Sequence, residues 1–218
     1  AAQAFAKHLS EAGITVDGEP SRAAASGGAR ELASVSSAPL SDILALSLKT
    51  SDNTMTEVEG RLVAVHAKQS ADFAGASKAV IAQLGKDGFD TSGLTLLDAS
   101  GLAKGNKVPA RLLAQILAKA AGGEGGSAGR TLIADLPVAA LDGTLTNRLH
   151  DTTAAGTVRA KTGSLERTSS LAGVVTTADG RLLAFSILAN DFPANGGGAA
   201  AAVIDSRFVA PLASCGCL

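Results

Sequence analysis

The chain has no tryptophan, no tyrosine and only six phenylalanines among its 218 residues. Modules that hold nucleic acid by stacking bases on aromatic faces are disfavoured on that ground. An excess of positive charge is also missing. Nineteen Lys and Arg stand against twenty Asp and Glu, a formal net charge of −1. Binding DNA or RNA by phosphate neutralisation is therefore disfavoured, and no nucleic-acid partner is expected. No apolar run approaches the roughly 18 residues that a membrane helix requires; residues 196–203 are small and apolar but too few. No basic-then-apolar leader pattern opens the sequence, so any signal peptide is expected outside these residues. His8, His66 and His150 are scattered, and no Gly-x-Ser-x-Gly accompanies the adjacent His150 and Asp151. Ser-His-Asp hydrolysis thus has no support, and with no cluster at metal-ligand spacing neither a metal nor a cofactor is expected.

Cysteine is nearly absent too. Cys215 and Cys217 close the chain as Cys-Gly-Cys. One reading is a disulfide, to each other or to an upstream cysteine, although the i,i+2 spacing is at the short end of bridge geometry. The other is two free thiols on a frayed tail. A disulfide would fit an oxidising compartment.

What is present is a core-forming composition: 46% hydrophobic and 18% charged residues, enough for one large domain or most of one. The apolar spacing predicts helices over 2–12, from Pro39 to about Thr50, 55–66, 72–84 and 109–121. Pro109 stands at the first turn of the last of these. Short strands are expected at 14–16, 31–37 and 94–97, a glycine-rich loop at 122–129, and helix at 144–149. The period then changes. Strand patterns at 158–163, 169–176 and 182–188 follow, with Asp179-Gly180 as a hairpin signal. A helix over 199–213 closes the chain. No internal repeat is present, and the loops are too short to divide the chain into two domains. Helices, a three-strand meander and a terminal helix give an α+β layer architecture.

Two short polar motifs lie 110 positions apart: Ser51-Asp52-Asn53 at the break between two helices, and Lys161-Thr162-Gly163 at the end of an expected edge strand. An ammonium and a hydroxyl side by side suit a carboxylate at the end of a substrate. Gly163 leaves room for an extended substrate to approach the backbone. The N–H of Ser164 would then be available to a developing oxyanion. At the first motif a hydroxyl for proton relay sits beside an amide that donates and accepts. Helix capping explains the same three residues equally well. Between the two lies Asp98-Ala99-Ser100-Gly101-Leu102, with Asn106 following.

In that order, Ser-Asp-Asn, Asp-x-Ser-Gly-Leu-x-x-x-Asn and Lys-Thr-Gly-Ser, the chain resembles the penicillin-binding protein 4-type D-alanyl-D-alanine carboxypeptidases/endopeptidases (peptidase family S13). The stretches Leu46 to Asn53, Lys161 to Leu165 and Ser169 to Gly173 carry the likeness, which extends over the whole chain. The resemblance implies a serine β-lactamase/DD-peptidase-like transpeptidase fold, an antiparallel sheet flanked by helices. Residues 1–218 would be its C-terminal part. It implies an acyl-enzyme serine peptidase acting outside the cytoplasm, in periplasm or cell wall, on peptidoglycan stem peptides, with β-lactam antibiotics as inhibitors. Ser51 would join the proton relay. Asn53 would hold the substrate's amide carbonyl and orient an upstream lysine, and Lys161 would assist Ser51 and attract the terminal carboxylate. Thr162 would bind that carboxylate, Ser164 would supply half of the oxyanion hole, and Leu102, Lys104 and Leu165 would line the stem-peptide pocket.

Three departures stand out. Ala99 occupies a position where glycine is usual, and Glu166 adds a negative charge beside the pocket. No serine is followed three residues later by lysine, so the family's nucleophile motif, Ser-x-x-Lys, is expected from an upstream segment. Two alternatives share these motifs. A class A β-lactamase would carry Glu-x-x-x-Asn between the second and third motifs, and none occurs here. A non-catalytic peptidoglycan- or β-lactam-binding protein would lack the nucleophile altogether.

Overall fold

The computed structural model describes residues 2–24 and 27–215. They fall into two units, Ala1–Ser37 and Ala38–Leu218. In the first unit, α1 (Ala2–Glu11) forms as its apolar spacing predicts and ends at Gly13, whose φ is +80°. The strands expected at 14–16 and 31–37 do not form. A strand needs a neighbouring strand to complete its ladder, and among the described residues no strand pairs with either segment. Leu32 and Val35 are left 84% and 98% exposed.

The second unit begins with α2 (Leu40–Thr50) and α3 (Asn53–His66), joined by the elbow at Ser51-Asp52. Next come α4 (Phe73–Lys86) and α5 (Ala110–Ala121). The Asp52 and Asp72 carboxylates cap α3 and α4 by accepting the N–H groups of Met55 and Gly75, as short acidic side chains do at helix starts. The strand expected at 94–97 shrinks to one antiparallel bridge between Thr95 and Lys107.

The segment read as a glycine-rich loop is a second difference. Here α6 spans Gly126–Asp135. Gly129 packs against Ala120 of α5, and a side-chain carbon at 129 would lie 2.9 Å from the Ala120 Cα. Gly125 and Gly129 permit this close contact between α5 and α6. Helix is also expected at 144–149, but only a 3-10 turn at Gly143–Leu145 forms. Leu149 and Asp151 take positive φ values of 63° and 55°, which end any helical continuation.

Strands β1 (Val158–Leu165), β2 (Thr168–Thr176) and β3 (Leu182–Asn190) form an antiparallel meander in the order β1-β2-β3. Val158, Ala160, Leu171, Val175 and Phe185 share one sheet face, as the pairing register and the strand period of two require. That face packs on Ile204, Val209 and Ala213, with Leu145, Leu149 and Ala154 completing the core. The opposite face carries α5. The C-terminal helical stretch is interrupted: α7 (Gly197–Val203), a π-wound segment Ile204–Val209, and α8 (Ala210–Ser214). Pro211 lies at the start of α8 and has no N–H to give to the preceding turn, which accounts for the widened winding before it. Cys215 is disulfide-bonded, and Cys217 lies outside the described residues.

Candidate active site

The site is assembled where the α2–α3 elbow meets the outer edge of β1. Ser51 ends α2 in the left-handed conformation, φ +56° and ψ +45°. Its N–H and that of Asp52 both turn back to the Ser47 carbonyl. Behind the elbow the Ser47 hydroxyl lies 3.2 Å from Thr56 Oγ1 and 3.2 Å from Glu59 Oε2, and Thr56 donates to the Asp52 carbonyl. Burial, chiefly, raises the Glu59 carboxyl above its ordinary value, although its Ser47 hydrogen bond acts in the opposite direction.

The elbow presents the Ser51 hydroxyl to β1. Lys161 Nζ donates to Ser51 Oγ at 2.6 Å and to the Thr162 carbonyl at 2.9 Å. Both acceptors are neutral, and Lys161 pairs with no carboxylate among the described residues. Burial pushes its ammonium below the ordinary lysine pKa, because removing a charge from water favours the neutral amine. The residues of Ser51-Asp52-Asn53 divide their contacts: the Asp52 carboxylate caps α3, and the Ser51 hydroxyl turns to the lysine. Asn53 is exposed at the first residue of α3.

Lys161-Thr162-Gly163 lies in mid-strand rather than at a strand end. The outer edge of β1 is covered only in its first half. Residues 137–139 run beside it, with Ala139 N–H donating to the Val158 carbonyl and Ala160 N–H to the Pro137 carbonyl, both at 2.9 Å. Outward-facing groups alternate along an antiparallel strand. The backbones of Thr162 and Ser164 therefore also face outward, and no strand lies beside them among the described residues. The space a side chain would take at Gly163 is already occupied by the Ser170 hydroxyl of β2. That contact supplies a packing reason for the glycine in addition to the approach of a substrate.

Sequence reasoning missed the support behind Thr162. Thr162 Oγ1 donates to Thr144 Oγ1 at 2.9 Å. Thr144 sits on the 3-10 turn after Asp142, and Lys49 of α2 binds Asp142 through both carboxylate oxygens at 2.9 and 2.7 Å and the Leu136 carbonyl at 2.8 Å. Burial opposes the charge on Asp142. The Lys49 ammonium, the Val138 N–H and the more distant Arg159 outweigh it and hold the carboxyl below its usual range. A threonine and an aspartate in a loop carry no periodic or motif signal by which they could have been picked out.

The loop 98–107 forms the other rim. Asp98 organises it by accepting the N–H groups of Gly101 and Ala103 and the Asn106 amide at 2.7–2.9 Å. Burial works against its ionised form, but those donors hold its pKa below the usual value. Glu57 of α3 accepts the N–H groups of Ala99 and Ser100. Ala99 packs over Gly60, where an added carbon would lie 2.7 Å from the Ala99 methyl; the alanine in the loop is matched by a glycine beneath it. Leu102 and Leu165 are 51% and 40% exposed. Lys104 reaches across to Glu166, 3.6 Å away, in an exposed ion pair that joins the loop to the β1–β2 hairpin.

Comparison with known proteins fits this arrangement. A family model described as the D-Ala-D-Ala carboxypeptidase 3 (S13) family matches residues 1–208. The chain belongs to the S13 family. Carboxypeptidase DacB of Mycolicibacterium smegmatis is 43% identical over 194 residues, which cover 87% of this chain and 41% of that protein. The D-alanyl-D-alanine carboxypeptidase of Actinomadura sp. is 36% identical, over 85% of this chain and 35% of that protein. The crystal structure of penicillin-binding protein 4 (dacB) from Haemophilus influenzae, complexed with a β-lactam, superposes with a TM-score of 0.78. It is 32% identical and is matched over 87% of this chain and 44% of that one. The S13 fold is thus present here as helices around an antiparallel three-stranded sheet, and the chain spans about two fifths of the relatives it matches. Among the described residues no helix is long and apolar enough to cross a membrane.

Proposed function

We propose that residues 1–218 are the C-terminal part of the penicillin-binding domain of a serine DD-peptidase. It would cleave terminal D-Ala-D-Ala, or D-amino-acid cross-links, in peptidoglycan outside the cytoplasm. One observation carries the reading: the Lys161 ammonium meets the Ser51 hydroxyl at 2.6 Å, across 110 residues of sequence, at the open half of a strand edge. The amine is half-buried and, among the described residues, has only neutral acceptors. Such a charge is costly without an anion, and a substrate's terminal carboxylate would supply one.

The chemistry follows from placement. A stem peptide lies extended along the open edge of β1, as peptides add to exposed strand edges. Its terminal carboxylate takes the Lys161 ammonium and the Thr162 hydroxyl. The Asn53 amide holds the penultimate amide carbonyl, and Leu102, Lys104 and Leu165 meet the rest of the stem. A serine from a Ser-x-x-Lys segment of the upstream chain attacks the D-alanyl carbonyl, and the outward N–H of Ser164 donates to the oxyanion. The proton from that serine passes by way of the motif lysine and Ser51 to the departing D-alanine amine as the C–N bond breaks. Water then cleaves the acyl-enzyme. β-Lactams would acylate the same serine.

Fluorescent penicillin tests the reading. The full-length protein is expected to take a covalent label that unlabelled penicillin prevents. A folded full-length protein that takes no label would favour a binding protein without catalysis. Rapid turnover of nitrocefin would favour a β-lactamase.

A further inference from the structure

Two links join the end of α2 to adjacent residues of β1. Ser51 meets Lys161 directly. Lys49, two residues earlier, grips Asp142, and Thr144 of the same turn meets Thr162. The second link matters for the direction of one hydrogen. The Thr162 hydroxyl can rotate freely unless something fixes it, and here its hydrogen is directed at Thr144 Oγ1. Thr144 is itself half-buried beside the fully buried Leu145, so its place is set by the core. Gly143 lets the turn lie close against the end of α2. Its φ is +56°, and a side-chain carbon there would lie 2.7 Å from the Lys49 carbonyl oxygen and 3.2 Å from Pro137.

We propose that Thr144 is a positioning residue for carboxylate recognition, held in place by the Lys49–Asp142 ion pair. It keeps the Thr162 hydroxyl in the one rotamer from which that hydroxyl can turn to a substrate carboxylate. The Thr144 hydroxyl then donates in turn to Thr162 Oγ1 once the Thr162 hydrogen has gone to the substrate. A hydroxyl that donates to an anion while accepting from a neighbour is polarised and binds more strongly. The inference rests on the reading of Thr162 as a carboxylate ligand.

The experiment is steady-state kinetics of the full-length protein on a synthetic peptide ending in D-Ala-D-Ala, with a separate wild-type sample tested for penicillin labelling. Thr144→Val is isosteric but lacks the hydroxyl. It is expected to raise KM about tenfold, the scale of one lost hydrogen bond to a charged group, with kcat within about threefold. Thr144→Ser restores the hydroxyl and should return KM to within about twofold. Asp142→Asn loosens the brace and should give an intermediate KM. An unchanged KM in Thr144→Val overturns the proposal, as does a Thr144→Ser variant no better than the valine, because packing would then explain the loss. If the valine variant does not fold, Thr144→Ala compared with Thr144→Ser decides by the same criterion. An unchanged KM in Asp142→Asn overturns the role of the brace. An unlabelled wild type would instead remove the functional reading on which the inference rests.

Discussion

Lys161 is the residue on which most depends. Its ammonium is desolvated without a carboxylate partner among the described residues, and its pKa falls below the ordinary 10.5. Two consequences have opposite signs. For activity, the charged form is the one that attracts a carboxylate, so acylation by penicillin should lose rate through an alkaline limb centred below 10.5. A limb at or above that value would contradict the assignment. For stability, the unfolded chain binds more protons than the folded chain between the lowered pKa and 10.5, so Lys161 makes stability rise with pH across that window. Lys161→Ala should slow acylation at least about 100-fold, the scale of removing a preorganised charge from an acyl-transfer site. Asp98 tests the other rim. Asp98→Ala leaves three donors of the loop unsatisfied and should cost about 2–4 kcal/mol in urea unfolding. The carboxylate's contribution is present above its unfolded pKa near 3.8 and is lost as pH falls through the lowered folded value.

Among the elements, those with a strong period were legible and those that depend on a partner were not. Helices α2 to α5 and the three strands announce themselves by spacings of three and four or of two, because each buries one face. The strand patterns at 14–16 and 31–37 have apolar residues too, but nothing in a local pattern says whether another strand will supply the ladder. Gly122 to Gly129 misled for a related reason. Glycine weakens an isolated helix, yet at 129 its lack of a side chain lets α6 approach Ala120. Gly129→Ala is accordingly expected to destabilise, by about 1–3 kcal/mol through overpacking, whereas a flexible loop would tolerate it or gain from it. At the site, the order of the motifs, through the family they resemble, brings Ser51 and Lys161 together on paper, and the fold brings them within hydrogen-bond reach. Thr144, Asp142 and Glu57 could not be read from the sequence, since they act only through contacts made by folding. The Arg148–Asp205 ion pair belongs with them. It ties the segment after the 3-10 turn to the π-wound helix, with 2.6 and 2.9 Å contacts and side chains under one fifth exposed. Asp205→Ala should cost about 3 kcal/mol by leaving a guanidinium largely buried and unpaired.

On the scale of the molecule, the sheet and its helices hold an elbow and a strand edge in register. The open half of that edge starts where the lysine and threonine lie. Ser51, Lys161 and Thr162 meet at that open half, and the chain spans about two fifths of its S13 relatives. Under the proposed function, the attacking serine of an upstream Ser-x-x-Lys segment meets this edge. Intact-mass measurement of the full-length protein after brief exposure to benzylpenicillin tests this most directly, followed by peptide mapping of the adduct. One penicilloyl group should appear, on the serine of a Ser-x-x-Lys sequence outside residues 1–218, and its formation should collapse in Lys161→Ala. An adduct on a serine within residues 1–218, or one formed at the wild-type rate without Lys161, would contradict the account.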